Sequence, residues 1–145
     1  MILLAVGLAG GWLVPGCTTY RDPVTGQEAR YRFETLRAEL DLPIRTVYTA
    51  AKRATSELDL RSTRAAQDGL AGEIRAVNAQ LETVDIQVGA LPGGRTELSI
   101  RVGVFGDRDK SIVLFESIMA NLSAPEQLAA VPSLRWDEKP LESWR

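Results

Sequence analysis

A chain of 145 residues, 45% hydrophobic and 25% charged, has the size and composition of one ordinary globular domain with a single core. Its 17 basic and 19 acidic side chains leave a net charge of −2, which argues against bulk attraction to nucleic acid. It contains no histidine, so the commonest general base, the commonest zinc ligand and every Ser-His or Cys-His nucleophile are excluded, and no cofactor or metal is expected.

Residues 2–14 carry no charge and consist of Ile, Leu, Ala, Val, Gly and Trp. That length fits the roughly 7–15-residue apolar core of a secretory signal and falls short of the about 20 residues a transmembrane helix needs. The run closes on Val14-Pro15-Gly16-Cys17, which resembles the bacterial lipobox and contains the only cysteine. The resemblance implies cleavage after Gly16, diacylation of Cys17 on sulfur and attachment to membrane lipid. It departs from the usual pattern in having Pro15 where Ala or Ser is common and no basic residue before the cysteine. The alternative is an ordinary signal peptide, or a buried apolar strand with a chance cysteine. Thr18 is not the Asp associated with inner-membrane retention in enterobacteria, so the expected location is the outer membrane, facing the periplasm.

The polar residues of segment 17–30, with Pro23 and Gly26, predict a flexible tether between lipid and domain. The domain proper is expected over 31–122. Leu36, Ala38 and Leu40 alternate with Arg37 and Glu39 in a first strand over 31–40. Asp41-Leu42-Pro43 then starts a helix over about 43–57, whose stripe of Val47, Ala51, Ala54 and Leu58 predicts packing against a sheet.

Four further strands follow. Leu58–Ala66 leads to the turn signal Asp68-Gly69. Leu70, Gly72, Ile74 and Ala76 alternate with polar residues up to a break at Asn78–Gln80, and Val84, Ile86 and Val88 do so up to Pro92-Gly93-Gly94. Leu98, Ile100, Val102 and Val104 then point one way, against Glu97, Ser99 and Arg101. Gly106-Asp107 should end this strand and cap a last helix with Ile112, Phe115, Ile118, Met119 and Leu122 on its apolar face. Beyond it, the tail 123–145 is interrupted by Pro125, Pro132 and Pro140, with one helical turn at Glu126–Val131 and with Trp136 and Trp144 as loose anchors.

The order β-α-β-β-β-β-α predicts an α+β domain, one antiparallel sheet of about five strands with two helices on one face. The elements resemble the DUF3568 family of small bacterial lipoproteins. Leu42-Pro43-Ile44-Arg45-Thr46-Val47-Tyr48 with Ala50-Ala51, and above all Leu98-Ser99-Ile100-Arg101-Val102-Gly103-Val104-Phe105-Gly106-Asp107, carry the resemblance. Family members tend to begin with a lipobox, so the resemblance also implies acylation at Cys17. It implies no activity.

Asp107 and Asp109 read as a cap and a dipole partner rather than a cation site. Gly103 and Gly106 have neither phosphate-loop spacing and read as turn glycines. The better candidate is the helix-free face of the sheet, carrying Glu73, Arg75, Asp85, Gln87, Glu97, Ser99 and Arg101; Arg75, Asp85, Glu97 and Arg101 form the expected binding face. Three functions fit these residues. The first and favoured is a lipid-anchored, non-catalytic module that binds an envelope protein or cell-wall component. The second is a structural envelope lipoprotein. The third is a glycan enzyme needing two carboxylates about 5–10 Å apart in one cleft.

Overall fold

The computed structural model describes residues 17–123. The apolar leader, and the tail with its expected turn at Glu126–Val131 and Trp136 and Trp144, lie outside the described residues.

Seven strands, β1 (Thr18–Arg21), β2 (Glu28–Arg32), β3 (Thr35–Leu40), β4 (Arg61–Gln67), β5 (Ala71–Val77), β6 (Thr83–Leu91) and β7 (Arg95–Val102), form one antiparallel sheet in the order β1-β2-β3-β7-β6-β5-β4. Helices α1 (Ile44–Glu57) and α2 (Arg108–Ser123) pack side by side on one face. The chain runs out along β1-β2-β3, crosses over the sheet as α1, and returns along β4 to β7 until β7 pairs with β3. The α+β class and the single helix-covered face agree with the sequence reading, but the strand count does not.

Both extra strands come from the N-terminal third. The segment expected to be a tether is instead a hairpin. Asp22 is buried, its carboxylate accepts the Thr25 N–H at 2.7 Å, and its backbone exchanges bonds with Gly26 and Gln27, closing a turn that pairs Thr18–Arg21 with Glu28–Tyr31. The polar composition that suggested mobility is therefore turn chemistry. The expected single strand over 31–40 is broken at Phe33 and Glu34, both with positive φ (49° and 62°). That is the backbone of a two-residue hairpin turn normally built from Asn or Gly, so Phe-Glu gives no sequence signal for it.

The helix-covered face follows the alternation. Leu36, Ala38, Ile74, Ile86, Val88, Leu98, Ile100 and Val102 are buried beneath Val47, Ala51 and Ala54 of α1 and Leu114, Phe115, Ile118 and Met119 of α2. Small residues on α1 allow close approach to the sheet. Tyr48 lies so near β5 that a Cβ on Gly72 would stand 2.8 Å from its ring. Pro43 is the residue that caps α1, with no side-chain bond, and Asp41 does not serve as the cap. Leu58, expected on the stripe, is the half-exposed C-cap, and β4 therefore starts at Arg61 rather than Leu58. In α2, Leu114 and the hydroxyl of Ser111 are buried, whereas Ile112 and Leu122 pack only at the rim.

β7 ends at Val102, and Val104, expected to continue its inward row, is exposed. Gly103 and Gly106 take left-handed conformations that turn the chain away from the sheet before α2 begins. Asp107 caps α2 through Oδ1, which accepts the Lys110 N–H at 3.0 Å. The cap stands where the sequence puts it, but five residues rather than two separate strand from helix.

Candidate functional site

The uncovered face of the sheet presents the polar half of every alternation. Register places Arg75 opposite Asp85 and Asp85 opposite Arg101, while a neighbouring row runs Glu73, Gln87, Ser99, Arg37 and Arg30. In a third row Glu97 lies between Gly89 and Glu39. The four expected binding-face residues therefore share one face, although Glu97 stands apart from the other three.

Of these side chains, Arg75 and Asp85 occupy each other, whereas Arg101 is held by groups outside the four. Arg75 Nε donates to Asp85 Oδ1 at 2.6 Å, and Glu73 lies 3.5 Å from the same guanidinium. These acidic partners raise the Arg75 pKa further, the hydrogen bond to Asp85 contributing most. Arg101 Nη2 donates to Glu34 Oε2 at 2.8 Å and to the carbonyl of Val104, while its Nε is buried without a partner among the described residues. Arg101 thus joins the β2–β3 turn to the loop after β7, and it is less a free anion receptor than a clasp.

A part of this face escaped the sequence reading. The tether expected over 17–30 takes in β1 and Arg30, so the row that β1 and β2 extend does not emerge from the sequence. Arg30 and Arg37 are direct register partners, and with Cys17, Arg32, Glu39 and Glu97 they line an open groove of about 580 Å³. Arg30, Arg32 and Arg37 form no ion pair among the described residues. Two like charges directly opposite each other are unfavourable, and an anionic group in the groove would relieve that cost. The alternation of Ala29 and Tyr31 with Glu28, Arg30 and Arg32 was the available signal. A second open groove, of about 710 Å³, adjoins it across Glu97 and is lined by Glu73, Gln87, Gly89 and Ser99.

Cys17 is exposed and immediately precedes β1. The strand is fixed from the helix side. Tyr20 meets Phe115 of α2 edge-on at 6.2 Å between ring centroids, and its hydroxyl donates to Glu116. That bond to a carboxylate, helped by burial, pushes the Tyr20 pKa up to about 12. Burial chiefly raises Tyr31 as well. Alternation along β1 then turns Cys17, Thr19 and Arg21 toward the helix-free face.

Among the described residues no group of three or more Cys, Asp or Glu side chains converges as a metal site would require. Both Asp107 oxygens face Lys110, one on its backbone N–H and one 3.4 Å from its ammonium, and Asp109 points into solvent. The backbone bond chiefly holds the Asp107 carboxyl below its usual pKa.

A family model described as "Protein of unknown function (DUF3568)" matches residues 1–121. The chain belongs to this family. The match spans the apolar leader, the hairpin that follows it and nearly all of both helices, so it begins well upstream of Leu42, the first of the residues that carry the resemblance. Curated proteins give no match.

Proposed function

We propose that this DUF3568 protein is a lipid-anchored component of the bacterial cell envelope, held by acylated Cys17 and acting as a small non-catalytic binding or assembly module. The observation that carries the reading is the place of the only cysteine, exposed at the junction between an uncharged leader and the first strand. A signal peptidase needs that junction accessible, and an acyl chain needs a residue outside the core. Two or three acyl chains, at about 0.8 kcal/mol per buried CH₂, suffice for stable anchoring. The domain's binding surface is the helix-free face, with Arg75, Asp85, Glu97 and Arg101 joined by Arg30 and Arg37 beside Cys17.

A glycan-cleaving reading has one observation in its favour, because Glu39 and Glu97 are cross-strand partners on one groove. It comes second, since Glu39 is exposed and held by Arg95 at 3.0 Å as an ordinary surface ion pair. Fractionation of cells expressing the full chain and its Cys17→Ser variant tests the anchor. The wild type is expected in the membrane fraction, in the outer membrane where the cell has one, and the folded variant in the soluble fraction. Equal partitioning of the two would refute the reading.

A further inference from the structure

The strand register brings four separate stretches to one end of the sheet. β1 begins at Thr18 opposite Tyr31, β3 begins at Thr35 opposite Arg32, and β7 ends at Val102 opposite Val84 near the start of β6. Cys17, the Phe33-Glu34 turn, the loop 103–107 and the turn 78–82 are therefore neighbours. These stretches expose large apolar side chains, namely Phe33 (80% exposed), Leu81 (74%), Val104 (73%) and Phe105 (82%). At the opposite end Val24 and Leu70 stand exposed as isolated loop residues.

The tips at the Cys17 end are held outward. Arg101 clamps Glu34 and the Val104 carbonyl, and Gly106 packs against the Glu34 backbone so closely that a Cβ there would overlap it. Phe33 and Phe105 consequently sit on two loops fixed to each other, unable to fold back onto the core. The Arg32 guanidinium lies 4.6 Å over the Phe33 ring. An exposed aromatic with a cation at its face suits the boundary between acyl chains and phosphates, where rings enter the apolar layer and arginine meets the headgroups. Of the other charges at this end, Arg101 pairs with Glu34 and Lys110 with Glu82 and Asp107, whereas Arg30 beside Cys17 forms no ion pair among the described residues, so apolar insertion is joined by attraction of that arginine to headgroup phosphates.

We propose that the Phe33 turn and the Val104-Phe105 loop form a docking edge that seats this end of the sheet in the surface of a phospholipid bilayer; this rests on the acylation of Cys17 proposed above. The bilayer is the occupant because β1 starts at the next residue. Consecutive Cα atoms are about 3.8 Å apart, so lipid attached at Cys17 enters the membrane beside these tips, with no tether to hold the domain away. The sheet then stands on its end, and both grooves of the helix-free face open sideways into the aqueous compartment.

The test uses the full acylated chain in vesicles of phosphatidylethanolamine and phosphatidylglycerol, with a solvatochromic amino acid replacing Phe105 in one sample and Leu70 in another. Position 105 is expected to shift to the blue and to be quenched by nitroxide-labelled acyl chains, while position 70 stays open to aqueous iodide. Equal iodide access at both positions in an acylated sample overturns the docking edge alone. Shielding of position 105 from iodide without quenching by lipid also overturns it, since a protein surface would then cover the tip. Intact mass of the same sample separates the two proposals, because an unmodified Cys17 thiol removes both.

Discussion

Replacing Gly106 with alanine tests how the two apolar loops are joined. Gly106 has φ +70°, and an added Cβ would lie 2.6 Å from the Cα of Glu34 and 2.5 Å from its Cβ. The left-handed conformation costs an alanine about 1 kcal/mol. The overlap is with backbone, which cannot swing aside as a flexible side chain can, and displacing it adds about 2 kcal/mol. The sum of about 3 kcal/mol should lower Tm by about 12 °C, at about 4 °C per kcal/mol for a domain of this size. Gly103→Ala is the control, because Gly103 has φ +74° in the same loop with nothing within 4 Å of an added Cβ. It should cost only the backbone component, about 1 kcal/mol. Urea unfolding of both variants, followed by circular dichroism, measures the difference. Equal losses would show that the loop does not rest on the Glu34 backbone, and the clasp would fall with that contact.

Asp107→Ala should cost about 1 kcal/mol from the lost cap, whereas Asp107→Asn, which can still accept the Lys110 N–H, should cost less. Because the folded-state pKa of Asp107 is lowered below 3.8, its contribution is present above that pH and disappears as pH falls through the lowered value, so the Asn variant should show a shallower acid slope in urea titrations between pH 5 and 2. Arg101→Glu would set a carboxylate beside Glu34 and opposite Asp85, and a loss of about 1–2 kcal/mol is expected from a pair this exposed; a neutral result in thermal melts would return Arg101 to the role of free surface donor. Tyr20→Phe should cost about 1 kcal/mol by releasing β1 from α2. The raised Tyr20 pKa means that this tie is intact below pH 10 and lost as pH rises through about 12, so the absorbance at 295 nm should show a phenolate component that appears only as pH approaches about 12 and that vanishes in the variant.

The sheet from β5 to β7 and both helices were legible because their burial is one-sided. Strict alternation from Leu98 to Val102 and the stripe from Val47 to Ala54 each leave one satisfactory packing. The hairpin of β1 and β2 was not legible for two reasons. Asp22-Pro23 and Gly26 suit a tight turn and a flexible linker equally well, and only the contacts of Tyr20 with α2, distant in sequence, decide between them. At Phe33-Glu34 the turn is imposed by β1–β2–β3 pairing and by the Arg101 clasp, against the preference of both residues for negative φ. Val104 illustrates the reverse error, since local alternation continues past the point where Gly103 has already turned the chain out of the sheet. Of the candidate site, Arg75, Asp85, Glu97 and Arg101 could be placed on one face by period alone. Their ion-pair partners, and the Arg30-Arg37 row beside Cys17, depend on strand order, which the sequence does not encode locally.

The intact mass of the protein extracted from the membranes of cells that express the full chain tests the central claim most directly. Acylation at Cys17 predicts a chain that begins at Cys17, lacks residues 1–16, and is heavier than the bare polypeptide by a diacylglyceryl group, with or without a further acyl chain on the new amino terminus. A chain that retains residues 1–16, or one that begins elsewhere with an unmodified Cys17 thiol, would contradict it.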